Sequence, residues 1–323
     1  MLEKYLINNF FKGFITLFLI LFSLTSIILL ITLSNMTYML KISLSEFLYL
    51  YVLTLPEIIF YTLPLTFFIT AASSIAKLFE NSELITILAI GVKPKKIVKP
   101  FFKLSLIFTL FLMIITFFSI PTSQILYKNF INIKKTESQF NFNVSSVGQK
   151  LGDWNIFIQK KENKTYKNIT LYNNKKMVLI TAKKAYLSRK NNYFTLSLED
   201  GILYSKNSKI SKIAFKTFKL NQKIKFTPLN FNSISEYIKL YKKKTNRYFL
   251  ISFFPLISFF FLISISFFHN RYQKNHSIIF SLIIAIIYYG IVFATFKNLY
   301  TIFWLFPVAI IIAKILERKV KQF

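Results

Sequence analysis

The sequence predicts an α+β membrane protein: six transmembrane helices in a 3+3 arrangement, with an antiparallel β domain of jelly-roll-like form inserted between the two sets. Three features lead there. Three long apolar runs are followed by a lysine-rich stretch of about 120 residues with almost none, and then by three more apolar runs. Hydrophobic residues make up 54% of the 323, with 39 Phe, which excludes an ordinary soluble domain. Within the lysine-rich stretch, apolar and polar residues alternate over short segments, which is the period of strands.

The apolar runs cover residues 13–33, 47–76, 101–126, 248–268, 278–296 and 299–316. Most reach the roughly 20 residues that carry a helix across about 30 Å of hydrocarbon. The chain therefore divides into residues 1–126 with helices one to three, residues 127–247 as the β domain, and residues 248–323 with helices four to six. The first run is long enough to span and lacks a small-residue cleavage site, so it is expected to stay as both signal and anchor.

Orientation follows from the cations in the short loops, which are retained on the cytoplasmic side. With the N-terminus inside, that side collects 14 Lys and Arg: Lys4 and Lys12, six between Lys77 and Lys103, Arg271 and Lys274, and four in the C-terminal segment. The opposite short loops hold only Lys41 and Lys297. Both termini are thus expected inside and the β domain outside the cytoplasm.

The net charge is +30, and residues 127–247 hold 26 Lys and Arg against 6 Asp and Glu. Such a surface attracts anionic lipid headgroups or phosphates, or is simply a solvated lysine face. Its extracytoplasmic placement gives no role to nucleic acid. Without cysteine the domain has neither disulfide nor thiolate metal site. His269 and His276 share one loop and make no metal cluster, so no metal and no cofactor are expected in the chain itself.

Strand segments are read at 154–158, 169–172, 177–181, 185–187, 193–198, 201–204 and 213–215, with turns at Asn173-Asn174, Asn191-Asn192 and Asp200-Gly201. A small sandwich, jelly roll or open barrel accommodates them. The domain has no Ser-His-Asp set, no acidic pair at a plausible site and no Gly-rich phosphate loop, and nothing in the chain matches a Walker motif. The chain is read as non-enzymatic. Any ATP-driven work belongs to a partner.

The loop between helices two and three carries the most informative local pattern. Ser82 is read as an N-cap, Glu83 sits in the first turn where a carboxylate complements the helix dipole, and Leu84, Ile87 and Leu88 form an apolar stripe. Gly91 ends the segment and Pro94 blocks continuation. A short amphipathic helix near 80–92 is the shape by which permeases dock into an ATPase; a plain interfacial anchor has the same pattern.

On these residues the chain resembles the lipopolysaccharide export permeases of the LptF/LptG type. The likeness runs through Leu63-Pro64-Leu65, through Lys77 to Leu84, where Ser82-Glu83-Leu84 is followed seven residues on by Gly, and through Ala89-Ile90-Gly91, as well as through the whole layout. The resemblance implies a non-catalytic permease subunit of an ABC transporter in a bacterial inner membrane, N-in and C-in, with its β domain in the periplasm. The implied partners are a sister permease, two copies of a cytoplasmic ATPase of the LptB type that uses the ATP, periplasmic jelly-roll bridge proteins of the LptC/LptA type, and lipopolysaccharide.

By the same resemblance Glu83 contacts the ATPase, with Ser82, Leu84 and Gly91 shaping the helix and Lys93, Lys95 and Lys96 adding contacts. Lys41 faces a lipid A phosphate, although an interfacial lysine at a helix end is an equally common reading. Glu57, beside Pro56, is read either as an intramembrane carboxylate, functional by default, or as the cap of a helix that starts after the proline. Pro64, Pro255 and Pro307 interrupt apolar helices, and Gly290 allows a close helix approach, either for a lateral gate or for ordinary packing. Two other classes fit the layout less well: another lipid or lipoprotein exporter, and a non-transporting envelope-assembly scaffold.

Overall fold

The computed structural model describes residues 2–40, 42–92, 94–140, 145–151, 153–162, 165–190, 193–206, 210–266, 277–295, 307–308 and 310–311. The chain forms two compact units, one of Met1–Ser34, Leu48–Ile125 and Leu229–Phe323, the other of Asn35–Phe47 and Leu126–Pro228.

The helical unit is built on α1 (Leu2–Leu40) and α2 (Leu44–Glu80). The first helix begins well before its apolar run because Leu6 and Phe10, one turn apart, are buried and extend the packed face toward the N-terminus. The second helix is the central one, buried along most of its length from Leu50 to Leu78. Its Thr62, Thr66 and Thr70 each return the hydroxyl to the carbonyl one turn back, at 3.0, 2.7 and 2.6 Å, so no polar atom of this stripe is left bare in the apolar interior. Pro56 and Pro64 both lie inside α2. The reading of Glu57 as a helix cap is therefore incorrect: a proline costs one backbone bond, and packed neighbours in an apolar medium let the helix run on through it.

After the short α3 (Glu83–Ala89) come α4 (Pro94–Ile114), one π-turn (Ile115–Ser119) and α5 (Ile120–Phe140). The π-turn has a local cause: Pro121 lacks an N–H, and its ring would collide with the carbonyl of Phe117 in a regular α-helix. The unit closes with α6 (Phe231–Leu240), α7 (Lys242–Ser252), α8 (Phe254–Ser266) and α9 (Ser277–Thr295). Phenylalanines join these helices. Phe10 meets Phe67 and Phe101 edge to face at 5.7 and 6.0 Å, and Phe68 meets Phe254 at 5.5 Å.

Among the described residues five helices are long and apolar enough to cross a membrane: Leu2–Met36, Leu44–Glu80, Lys96–Ser138, Lys242–Leu262 and Ser277–Ala294. The sixth run, 299–316, lies almost wholly outside the described residues, as do His269 and His276. A side chain at Gly290 would meet nothing within 4 Å, so this glycine makes no close approach among the described residues.

Among its described residues the second unit carries six strands: β1 (Ser145–Leu151), β2 (Trp154–Glu162), β3 (Thr165–Asn173), β4 (Val178–Lys190), β5 (Tyr193–Lys206) and β6 (Ile210–Lys223). They pair in chain order as one antiparallel meander. The strand order seen is thus a single sheet, and not the crossed two-sheet order of a jelly roll; short connections between consecutive strands favour neighbour pairing. Segments read as separate strands merge into β4 and β5. The Asp200-Gly201 turn is a correction: both residues lie inside β5, with Asp200 at φ 50°. β1 was not foreseen, since Ser145-Ser146-Val147-Gly148-Gln149 has few strand formers.

The merging has a regular geometry. Buried residues normally recur every second position, but across β3, β4 and β5 one step is three long: Tyr166 to Ile169, Ala182 to Ala185, Leu198 to Gly201. These steps align, because the register pairs Tyr166 with Ala185 and Ala185 with Leu198, and pairs Ile169 with Ala182 and Ala182 with Gly201. A crease therefore crosses the sheet. The left-handed residues Asn168 (φ 51°) and Asp200 absorb the extra position, as bulges do, and the apolar face stays continuous past it.

Gly201 is required at this crease. A Cβ there would lie 2.3 Å from the Phe215 ring and 2.3 Å from the Thr181 carbonyl oxygen, one of which is backbone. Gly201→Ala is expected to destabilise the β unit by about 3 kcal/mol, the upper end of overpacking costs. Loss of its cooperative thermal transition by circular dichroism checks this.

Within this unit α5 is stitched to the segment after β6. The Asn129 amide donates to the Thr227 carbonyl at 2.7 Å and accepts from the Thr227 N–H at 2.9 Å, while Asn132 donates to the Lys225 carbonyl at 3.0 Å. Lys134 bridges Glu46 and Glu137 at 2.7 and 2.9 Å.

Candidate functional site

Four of the residues singled out from the sequence come together in α3. Leu84 is fully buried and anchors the helix in the main apolar core, with Ile87 and Leu88 packed beside it. Ile85 and Ile90 face outward, Ile90 at 77% exposure. That leaves an apolar surface on a short exposed helix. The helix ends as the sequence suggests: Gly91, at φ 86°, donates to the Leu88 carbonyl at 2.9 Å and Val92 donates to the Ile87 carbonyl at 3.3 Å, the paired bonds of a Schellman motif.

The helix start differs. Ser82 occupies the N-cap position but in a left-handed conformation (φ 59°), and its hydroxyl makes no cap hydrogen bond. Its carbonyl makes the ordinary first bond of the helix, accepting from the Thr86 N–H at 3.1 Å, and also accepts from the Thr86 hydroxyl at 3.0 Å. Glu83 accepts a 2.6 Å hydrogen bond from the Tyr5 hydroxyl and a 3.4 Å one from the Asn81 amide. Tyr5 was not foreseen, because the contact spans 78 residues of chain. Nearby, Glu3 pairs with Lys103 at 2.8 Å, so the first turn of α1 holds both α3 and α4.

Lys41 and Lys93 lie outside the described residues, and so does the Lys95 side chain; Lys96 is exposed on α4. The structure therefore leaves the Lys41 expectation where the sequence put it.

A second polar site was only partly visible in the sequence. Glu57, within α2, accepts from the Tyr248 hydroxyl of α7 and, at 2.8 Å, from the Gln124 amide of α5; Lys244 lies 3.2 Å away. The carboxylate joins three helices. Burial and the Glu57 charge push the nearby Tyr237 phenol up to about 12. Lys244 also sits 5.5 Å from the Tyr248 ring, and Arg247 sits 4.5 Å from the Phe293 ring.

Lys242, Lys243, Lys244 and Arg247 line an open groove of about 830 Å³ at the start of α7. Cations there add to the positive end of the helix dipole, so the groove is electropositive even with Lys244 paired to Glu57. The run Lys242-Lys243-Lys244 next to an apolar helix is the signal that marks it in the sequence.

On the sheet, the face carrying Ile169, Leu171, Ile180 and Leu196 is buried, while Lys183, Lys184 and Asp200 are exposed. One face is thus packed as an apolar core and the other is polar.

A comparison with curated proteins gives no match. The family model described as lipopolysaccharide export system permease LptF/LptG matches residues 4–316, through the helices and the β insert alike, and the chain belongs to that family.

Proposed function

We propose that this membrane permease is one of two similar subunits that work with two copies of a cytoplasmic ATPase to lift lipopolysaccharide out of the inner membrane. Residues 299–316 supply the sixth span, both termini face the cytoplasm, and the β domain lies in the periplasm, where it hands the substrate to periplasmic bridge proteins. The observation that supports this reading best is α3: a short helix, half-buried at Glu83 where Tyr5 ties it to α1, with Ile85 and Ile90 presented outward. A groove on the ATPase takes that helix.

Closure of the ATPases on ATP then pushes α3 against the core through Leu84 and collapses the cavity between the two permeases. The work is large because each CH₂ withdrawn from the bilayer costs about 0.8 kcal/mol. Acyl chains leaving the membrane follow the apolar face of the sheet, and phosphates are met by Lys41 and by the groove of Lys242, Lys243 and Arg247. ATP stays on the partner; the permease itself needs no cofactor.

The test is release of lipopolysaccharide from liposomes that hold this chain with its sister permease and the ATPase. ATP-dependent release supports the reading, and absence of any ATPase recruitment to the liposomes contradicts it.

A further inference from the structure

The crease in the β sheet forms the floor of a groove of about 740 Å³ that the apolar-face function leaves unused. Strand alternation places it opposite the buried face: Phe157 and Gln159 flank buried Ile158, and Asn168 and Thr170 flank buried Ile169. Its volume lies in the range of small-ligand sites, about 300–1,000 Å³.

The lining has a definite chemistry. Phe157 is 41% exposed and presents an aromatic surface at one side. Beside it runs a row of planar polar groups, Gln159 on β2, Asn168 on β3 and Asp200 on β5, with Lys183 on β4 between the last two. The Asn168 amide donates to the Gln159 side-chain oxygen at 3.0 Å, which fixes both amides and leaves the outer donor and acceptor of the pair directed elsewhere. Lys183 and Asp200 occupy the same row and balance in charge, so the groove does not select an anion. A single carboxylate cannot run a two-carboxylate hydrolysis, so the site binds and does not cut. A polar row on the floor also excludes an acyl chain.

We propose that this groove binds a neutral saccharide, with an apolar sugar face against Phe157 and vicinal hydroxyls paired to Gln159, Asn168 and Asp200. Two non-glycine residues of the row, Asn168 and Asp200, are held left-handed, a strain that keeps their side chains on the groove side. The inference does not depend on the export reading. The sugar comes either from the headgroup of a glycolipid or from a cell-wall glycan.

The full chain in phosphatidylcholine nanodiscs, titrated by saturation-transfer NMR and calorimetry, tests it. One arm uses a dephosphorylated, carboxyl-reduced core oligosaccharide released from lipopolysaccharide, the other a carboxyl-reduced peptidoglycan disaccharide, so that both probes are neutral. Saturable binding in either arm, weakened at least tenfold by Phe157→Ala and by Asn168→Gly and unaffected by inorganic phosphate, supports the site and names its source. Asn168→Gly keeps the left-handed backbone and removes only the amide, so it separates binding from folding. No saturable binding in both arms, or binding that both variants leave unchanged, overturns the proposal.

Discussion

Glu83→Lys is expected to lower the ATP turnover of the reconstituted complex by at least tenfold. A hydrogen bond to a charged group contributes about 1.5–3 kcal/mol, which corresponds to roughly 10–100-fold in affinity for the ATPase, and a lysine at this place replaces attraction by repulsion. The internal bond from Tyr5 complicates the result, since Glu83 also tethers α3 to α1. Tyr5→Phe resolves it. That change removes the tether and leaves the carboxylate, and turnover is expected to fall less than threefold. If Tyr5→Phe reproduces the full loss, Glu83 acts by positioning the helix and not by touching the partner.

Replacing Glu57 has the second large effect, on stability. Glu57→Leu strands the Tyr248 hydroxyl, the Gln124 amide and Lys244 together. Leaving buried polar groups without partners costs about 1–3 kcal/mol each, but the Glu57 and Lys244 side chains are 27% and 38% exposed, so water recovers part of the ionic share. The expected total is about 2–4 kcal/mol, read as a lower thermal midpoint in detergent. Glu57→Gln keeps an acceptor for Tyr248 and is expected to lose about half as much. Equal midpoints for Glu57→Leu and the unaltered chain would show that the carboxylate holds nothing together.

Much of this fold was legible from the sequence, for identifiable reasons. Helix and strand signals with strong local causes came through: the apolar runs of α1, α2 and α9, and the stop at Gly91, where only a residue at home in positive φ completes the paired terminal bonds. Misreadings arose where tertiary surroundings overrode a local rule. Pro56 reads as a helix boundary in water, yet α2 passes through it in an apolar setting. Asp200-Gly201 reads as a hairpin turn, yet the same left-handed preference serves a crease inside β5.

The candidate site was legible to the same degree. Glu83, Leu84 and Gly91 carry signals within one short segment. Tyr5 and the partners of Glu57 do not, because those contacts join residues 67–191 positions apart or, for Tyr5, 78 apart, and no periodicity records them. Ser82 shows a further limit: its hydroxyl was the obvious cap, but the left-handed backbone accompanies a hydroxyl that makes no cap bond.

The most direct measurement of the export reading is photo-crosslinking of lipopolysaccharide from Phe218, which packs against the apolar core of the sheet. The chain carries a photoreactive residue there and is reconstituted in liposomes with its sister permease, the ATPase and lipopolysaccharide. Crosslinks that appear only with ATP, and disappear in Glu83→Lys, are the predicted result. Crosslinks of equal intensity with and without ATP, or none with an ATPase that is bound and active, would contradict it.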